Sequence, residues 1–372
     1  MNDFTIILRS MTARMFSTVM TVLSVAVAVA LLLTLLTMAE SGKSSFDRGS
    51  GNMHVLVSTD ASPLVGVLNG IYYAGTPRRP IPWAQYQDIA KYGPAQVPPG
   101  MTPGYAIPIQ IGDSFRGMPV VATTPEFFTR FEPVAGEPWK LDRGEFFDGN
   151  LEVVLGAQAA ANSHLSLGDT IVFTHGSGDS RGGAGEGGEH AGHTHDGFRS
   201  KVVGILKPTG SAHDRALFVS IETSWLMHAF DRLEREGKIE HHHDEAAPGK
   251  DAHDDHDGHD HEGHDHGDTP IHASDLTDED RRVTGIYLRV PTRPGSDASA
   301  VLPAVFDALR RDPTITVASP RQEIDRLFSI VAVFDKILRA MAAVVLLGSG
   351  ISISVALYNS MEQRRRQIAI LR

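Results

Sequence analysis

Two stretches of the chain lose the alternation of polar and apolar positions altogether. Residues Met15 to Ala39 carry no charge until Glu40, and Val19 to Leu36 is almost entirely Val, Leu, Ala and Met. As a helix this stretch measures about 36 Å, enough for a hydrocarbon core of about 30 Å. The apolar run of a signal peptide is about 7–15 residues, so an uncleaved anchor is expected. The second stretch, Ala340 to Tyr358, interleaves small residues, including Gly348, Ser349 and Gly350, with Val, Leu and Ile. Small residues let a neighbouring helix approach closely, and three of them together would weaken a helix in water. The helical pattern of Arg321–Phe334 continues into this stretch without a breaker. Residues 321–358 as one helix would be about 57 Å long. Part should therefore stand outside the bilayer as a stalk, with Asp335, Lys336 and Arg339 near the outer interface.

The region between shows shorter periods. Runs rich in Val and Ile, bounded by Gly, Pro or Asp, predict strands at Met53–Val57, Ile107–Ile111, Val120–Ala122, Glu152–Leu155, Thr170–Thr174, Lys201–Leu206, Ala216–Ser220, Ile286–Val290 and Thr314–Val317. Helical spacing predicts Glu222–Glu236, Ser296–Arg311 and, more weakly, Trp83–Lys91. The order is irregular, so an α+β domain is expected rather than a doubly wound sheet. Pro94–Gly104 and Gly176–Gly197 read as loops.

Charge refines this division. The net charge is −11, and between Glu240 and Asp268 there are eleven Asp or Glu against one Lys. The rest of the chain is nearly neutral, which argues against a nucleic-acid partner. Cysteine is absent, which removes disulfides, thiolate metal sites and thiol nucleophiles. Arg9 and Arg14 precede the first apolar stretch; Arg364, Arg365, Arg366 and Arg372 follow the second. This bias predicts both ends in the cytoplasm and the middle region outside.

The acidic segment is also rich in histidine. His241, His242, His243, His253, His256, His259, His261, His264, His266 and His272 interleave with Asp and Glu. Neutral imidazole suits borderline divalent ions, and the carboxylates add oxygen ligands. Overlapping spacings of two and three predict several exchangeable sites rather than one rigid one. Zinc is the expected ion; copper(II) and nickel(II) stay open. Capture should weaken as histidine protonates near pH 6.5. His190, His193 and His195 in the Gly-rich loop are candidates for a second cluster.

Catalytic motifs fail on context. Gly178-Asp-Ser-Arg-Gly182 has the spacing of a nucleophile elbow, but the glycines that follow cannot begin the helix this turn requires. No phosphate loop of the G-x-x-x-x-G-K-[ST] form and no H-E-x-x-H occurs. An enzyme is not expected, and ATP would be held by a partner.

The C-terminal stretch Ser352–Arg372, in which a membrane-type helix runs into Glu362, Arg364, Ile368 and Arg372, resembles the FtsX-like permeases of ABC transporters. Val153-Val-Leu-Gly-Ala-Gln, Leu167-Gly-Asp-Thr-Ile and Val202-Val-Gly-Ile-Leu-Lys-Pro-Thr-Gly are similar to the MacB-type periplasmic core domain. The resemblance implies a bacterial inner-membrane subunit with an α+β extracytoplasmic domain between two transmembrane helices with a stalk extension. Its parts would be a cytoplasmic N-terminus (1–14), a first span (15–39), a periplasmic core (40–320) with the insert at 240–272, a stalk and second span (321–358), and the start of a coupling segment (359–372). Glu362, Arg364, Arg365, Arg366 and Arg372 would contact the ATPase. The family has four spans, so two are expected beyond Arg372 and the chain is expected to be truncated. Partners implied are an ABC ATPase, a second permease copy as homo- or heterodimer, membrane lipid and a periplasmic metal-binding or carrier protein. The expected activity is coupling of ATP hydrolysis to motion of the periplasmic domain, linked to zinc handling. A lipoprotein- or lipophile-exporting permease with a metal-buffering loop, and a non-transporting membrane-anchored metal-binding module, are the alternatives.

Overall fold

Strand alternation sets the two sides of the central sheet. In Leu217–Ser220 the apolar side chains of Leu217 and Val219 join one core cluster, while Phe218 points into an aromatic nest on the other side. The computed structural model describes residues 15–77, 79–93, 100–175, 198–238 and 271–370. The elements run α1 (Met15–Gly49), β1 (Val55–Ser58), α2 (Pro63–Gly70), β2 (Ile81–Pro82), α3 (Trp83–Ala90), β3 (Tyr105–Phe115), β4 (Met118–Thr123), α4 (Glu126–Thr129), β5 (Leu141–Gly144), β6 (Glu152–Leu155), α5 (Ala157–Ser163), β7 (Thr170–Ile171) and β8 (Thr174–His175). They continue with β9 (Ser200–Leu206), β10 (Leu217–Ser220), α6 (Ile221–Arg235), β11 (Arg282–Val283), β12 (Gly285–Arg289), α7 (Leu302–Arg310), β13 (Thr316–Ala318) and α8 (Pro320–Ile370).

Among the described residues the main sheet has the order β13-β1-β12-β3-β4-β10-β6-β9-β5, with β7 on β9 and β8 on β3. Most neighbours are antiparallel, but β4–β10 and β6–β9 are parallel. The sheet is therefore mixed, as an α+β order requires. One face carries α6, packed with Val120, Val153, Leu155, Val202, Leu217 and Val219. Along the same chain β1, β12 and β13 bury Val55, Val57, Ile286, Leu288 and Val317 with Val305 and Leu309 of α7.

Several elements depart from expectation. The strand expected over Thr170–Thr174 divides into β7 and β8, which pair with different strands. The helix expected from Ser296 begins only at Leu302, with Pro303 in its first turn, the place in a helix where proline is tolerated; ahead of it Asp297 pairs with Arg289 and Arg321. The second long helix runs Pro320–Ile370, past the expected end at 358 and through the coupling segment.

The chain divides into two compact units, Met1–Ser45 with Ile324–Arg372, and Phe46–Glu323. In the first, the described side chains of Val19, Val22, Leu23, Val27, Leu31 and Leu33, and of Met341, Val344, Leu347 and Ile351, are exposed. Among the described residues no helix is long and apolar enough to cross a membrane. Several apolar positions of both helices have side chains outside the described residues.

Candidate functional site at the roots of the long helices

The last turn of α1 leaves backbone carbonyls with no partner inside the helix. The core supplies them. Tyr72 Oη donates to the Phe46 carbonyl, and His213 Nε2 donates to the Gly49 carbonyl at 3.1 Å. Arg48 Nε donates to the Thr209 carbonyl at 2.9 Å, and its guanidinium also reaches Glu137. Gly49 is required here, since a Cβ would lie 2.8 Å from the Tyr72 ring. Gly51 then turns the chain at φ 57°, where a Cβ would run into the Glu132 carbonyl.

His213 is fully buried. A carbonyl can only accept, so Nε2 carries the proton, and Nδ1 accepts from Tyr73 Oη at 2.6 Å. The ring sits against Phe127, Phe131, Trp139 and Phe218. Burial pushes its pKa down to about 4, with the Gly49 carbonyl and Asp214 working weakly the other way. Histidine here is a neutral peg between the core and the end of α1.

Asn52 continues the attachment. It exchanges backbone and side-chain hydrogen bonds with Arg130 and Glu132, and Tyr105 Oη donates to its Oδ1. Its carbonyl accepts from Arg289. Arg289 also pairs with Asp297 Oδ1 at 2.8 Å, and Asp297 Oδ2 lies 3.2 Å from Arg321 in the first turn of α8. His54 donates from Nε2 to the Asp297 carbonyl and accepts the Val290 N–H at Nδ1. Burial opposes ionisation of Asp297, but Arg289 outweighs it and holds the carboxyl below its usual range. Through Arg289 and Asp297 the segment after α1 and the first turn of α8 share one polar chain.

The flanks of the His-rich insert form a second constellation. Arg232 on α6 grips Asp280 with Nε at 2.9 Å and Nη2 at 2.8 Å. Burial would raise the Asp280 pKa; Arg232 and Thr277 together hold it at about 2. Ile271, where the described chain resumes, is buried against the α6 cluster.

The chain from residue 18 to residue 243 matches the family described as the MacB-like periplasmic core domain. The chain belongs to this family. The search of curated proteins finds no match. Membership supports a permease of the MacB/FtsX type, a component of ABC transporters. The match stops within the insert, yet β12 and β13 beyond it complete the sheet around β1.

The residues expected to bind metal or the ATPase fare unequally. His190, His193, His195, His241, His242, His243, His253, His256, His259, His261, His264 and His266 lie outside the described residues. His272 is described and exposed; its backbone N–H donates to Asp275. Among the described residues no three metal-ligating groups converge. Glu362 and Arg365 stand on α8; the side chains of Arg364 and Arg366, and all of Arg372, lie outside the described residues. His213, Asn52, Arg289 and Asp297 were not legible as a site. Each is a lone polar residue in sequence, and their partners come from distant segments.

Proposed function

We propose that the chain is the permease subunit of a MacB/FtsX-type ABC transporter, anchored in a bacterial inner membrane with its core domain in the periplasm. In this reading a cytoplasmic ATPase drives α1 and α8, and their roots pass the motion into the sheet. The observation that carries it is that, within the Phe46–Glu323 unit, the last turn of α1 is held through Gly49–His213 and the first turn of α8 through Arg321–Asp297, in a chain of this family. The exposed apolar side chains of both helices support burial in lipid, since patches of that kind are rare on surfaces facing water. The His-rich insert is the part that gathers divalent metal, with zinc the favoured ion, so the transporter's task is linked to that metal.

The absence of cysteine makes the topology directly measurable. Single Ser166→Cys and Ser10→Cys chains are labelled in intact cells with an impermeant maleimide. Ser166→Cys, exposed in the core domain, should label in intact cells, and Ser10→Cys only after lysis. The full chain should also co-purify with an ABC ATPase. Labelling of both positions only after lysis, or release of the chain from membranes by alkaline carbonate, overturns the proposal.

A further inference from the structure

Residues 290–301, between β12 and α7, form a strap that belongs to no helix or strand. It is tied down at few points. Thr102 and Thr292 exchange backbone hydrogen bonds at 2.8 and 3.1 Å. The Ser299 hydroxyl donates to the Pro291 carbonyl at 2.6 Å, within the strap itself. Asp297 makes the remaining ties. Its Oδ1 meets Arg289 of β12 at 2.8 Å, and its Oδ2 meets Arg321 of α8 at 3.2 Å. Its carbonyl accepts from Nε2 of His54 at 3.1 Å.

His54 stands just before β1, with its side chain buried. A carbonyl can only accept, so Nε2 carries the proton and Nδ1 turns its lone pair to the Val290 N–H at 3.2 Å. One ring thus holds the strap at its start and at its middle. A second proton can go only to Nδ1. Two N–H groups would then face each other, and the buried Val290 amide would lose that acceptor. Charged groups face the ring from two elements: Arg289 of β12, and Asp297 of the strap, whose Oδ1 lies 3.4 Å from Nε2. The other titratable groups nearby are turned elsewhere. Tyr105 donates to Asn52, the Arg130 guanidinium to the Gly104 carbonyl, and the Glu132 carboxylate accepts the Gly136 N–H. Burial and then Arg289 push the His54 pKa below 6.5, with Asp297 pulling the other way. The closed strap therefore binds fewer protons than the open one, and acid favours opening.

We propose that His54 is an acid-operated catch on the strap: a second proton on its ring parts it from Val290 and frees residues 290–301, and with them the tie between β12 and the first turn of α8. Histidine is the side chain whose ordinary titration suits such a switch. The link to α8 follows from Asp297, which Arg289 and Arg321 share. The catch lies wholly within the Phe46–Glu323 unit and does not depend on the permease reading, which fails or stands on membrane topology.

The test is hydrogen exchange of the full chain in detergent at pH 7 and pH 5, each rate divided by the intrinsic rate at that pH. Protection of the Val290 and Thr292 amides should fall by about threefold to thirtyfold at pH 5, the upper figure being the most that one imidazole of pKa about 6.5 can supply. The amides of Leu217–Ser220, in the centre of the sheet, should lose less and so separate opening of the strap from weakening of the whole fold. His54→Asn, whose amide can donate and accept like the neutral ring but does not titrate, should hold its protection across the two pH values. Asp297→Asn keeps the backbone carbonyl and removes the charge that favours the imidazolium in the closed strap, so its loss between pH 7 and pH 5 should deepen towards the ceiling. If His54→Asn fails to fold, Asp297→Asn answers alone, and a loss no larger than that of the unaltered chain overturns the catch. Constant protection in the unaltered chain, or an equal fall in His54→Asn, overturns it as well.

Discussion

His213 and His228 are the same residue type in one core domain, the first in the short turn before β10 and the second on α6, and their surroundings are opposite. His213 is sealed in aromatic rings, with one nitrogen giving a proton to Gly49 and the other receiving one from Tyr73. Neither nitrogen has a lone pair to offer an ion, and burial penalises the imidazolium. His228 is partly open to solvent on α6, with its Nε2 3.4 Å from the buried carboxylate of Asp113. Eighteen histidines are scattered through the sequence, and composition alone would rank those of the insert first. What makes His213 structural is that both ring nitrogens are committed and solvent does not reach them.

The contrast breaks most visibly by truncation. His213→Ala should leave the Gly49 carbonyl and the Tyr73 hydroxyl unsatisfied and open a void among four aromatic rings, at a cost of about 3–5 kcal/mol. Urea unfolding of the full chain in detergent, followed by tryptophan emission, reports it directly, since the rings of Trp139 and His213 lie 5.8 Å apart. His228→Ala should cost less than about 1 kcal/mol, the usual range for a partly exposed group. Equal losses from the two variants would remove the distinction.

A smaller effect sharpens the same comparison at the insert. Arg232→Ala leaves the carboxylate of Asp280 buried without its bidentate partner, a loss of about 2–3 kcal/mol. It should open the return segment at 271–281 rather than the root of α1. Hydrogen exchange should then rise around Thr277 and Asp280 while the amides of Asn52 and Glu132 keep their protection. Faster exchange at Asn52 would mean that the two constellations are one cooperative unit.

How much of this could be read beforehand follows from how local each signal is. α6 was expected at Glu222–Glu236 and is Ile221–Arg235, because its apolar face repeats at helical spacing and Ser220 caps it. β5 was missed because Leu141-Asp-Arg-Gly has no apolar alternation; it is an edge strand, exposed along most of its length. α2 was missed although Ser62 and Pro63 carry a start signal, and the Ser62 hydroxyl does accept from Val65. The coupling chain was illegible for a different reason. His213 and Gly49 are 164 residues apart, and no spacing rule reaches that far. The expected start at Ser296 gives way to Leu302 because Pro303 fits only the first turn of a helix.

The gentlest probe of the comparison is proton concentration. The native pKa of His213 is about 4 against an ordinary value of 6.5. The native state therefore binds fewer protons than the unfolded chain between these limits, and stability rises with pH there. The stability tied to His213 is complete above about pH 6.5 and is lost as pH falls towards 4, a difference of about 2 kcal/mol between pH 7 and pH 5. His54, whose pKa burial also lowers against the pull of Asp297, adds loss of the same sign. Asp280 acts in a separate window: its contribution is held until pH falls below about 3.8 and fades towards 2. His213→Phe keeps the volume of the ring and removes the titrating group. Its stability, lower at neutral pH, should change little between pH 7 and pH 5 beyond what His54 imposes. A His213→Phe chain that still weakens by the full amount would place the acid-sensitive group elsewhere and reduce His213 to a packing element. A flat profile ties the root of α1 to one neutral imidazole.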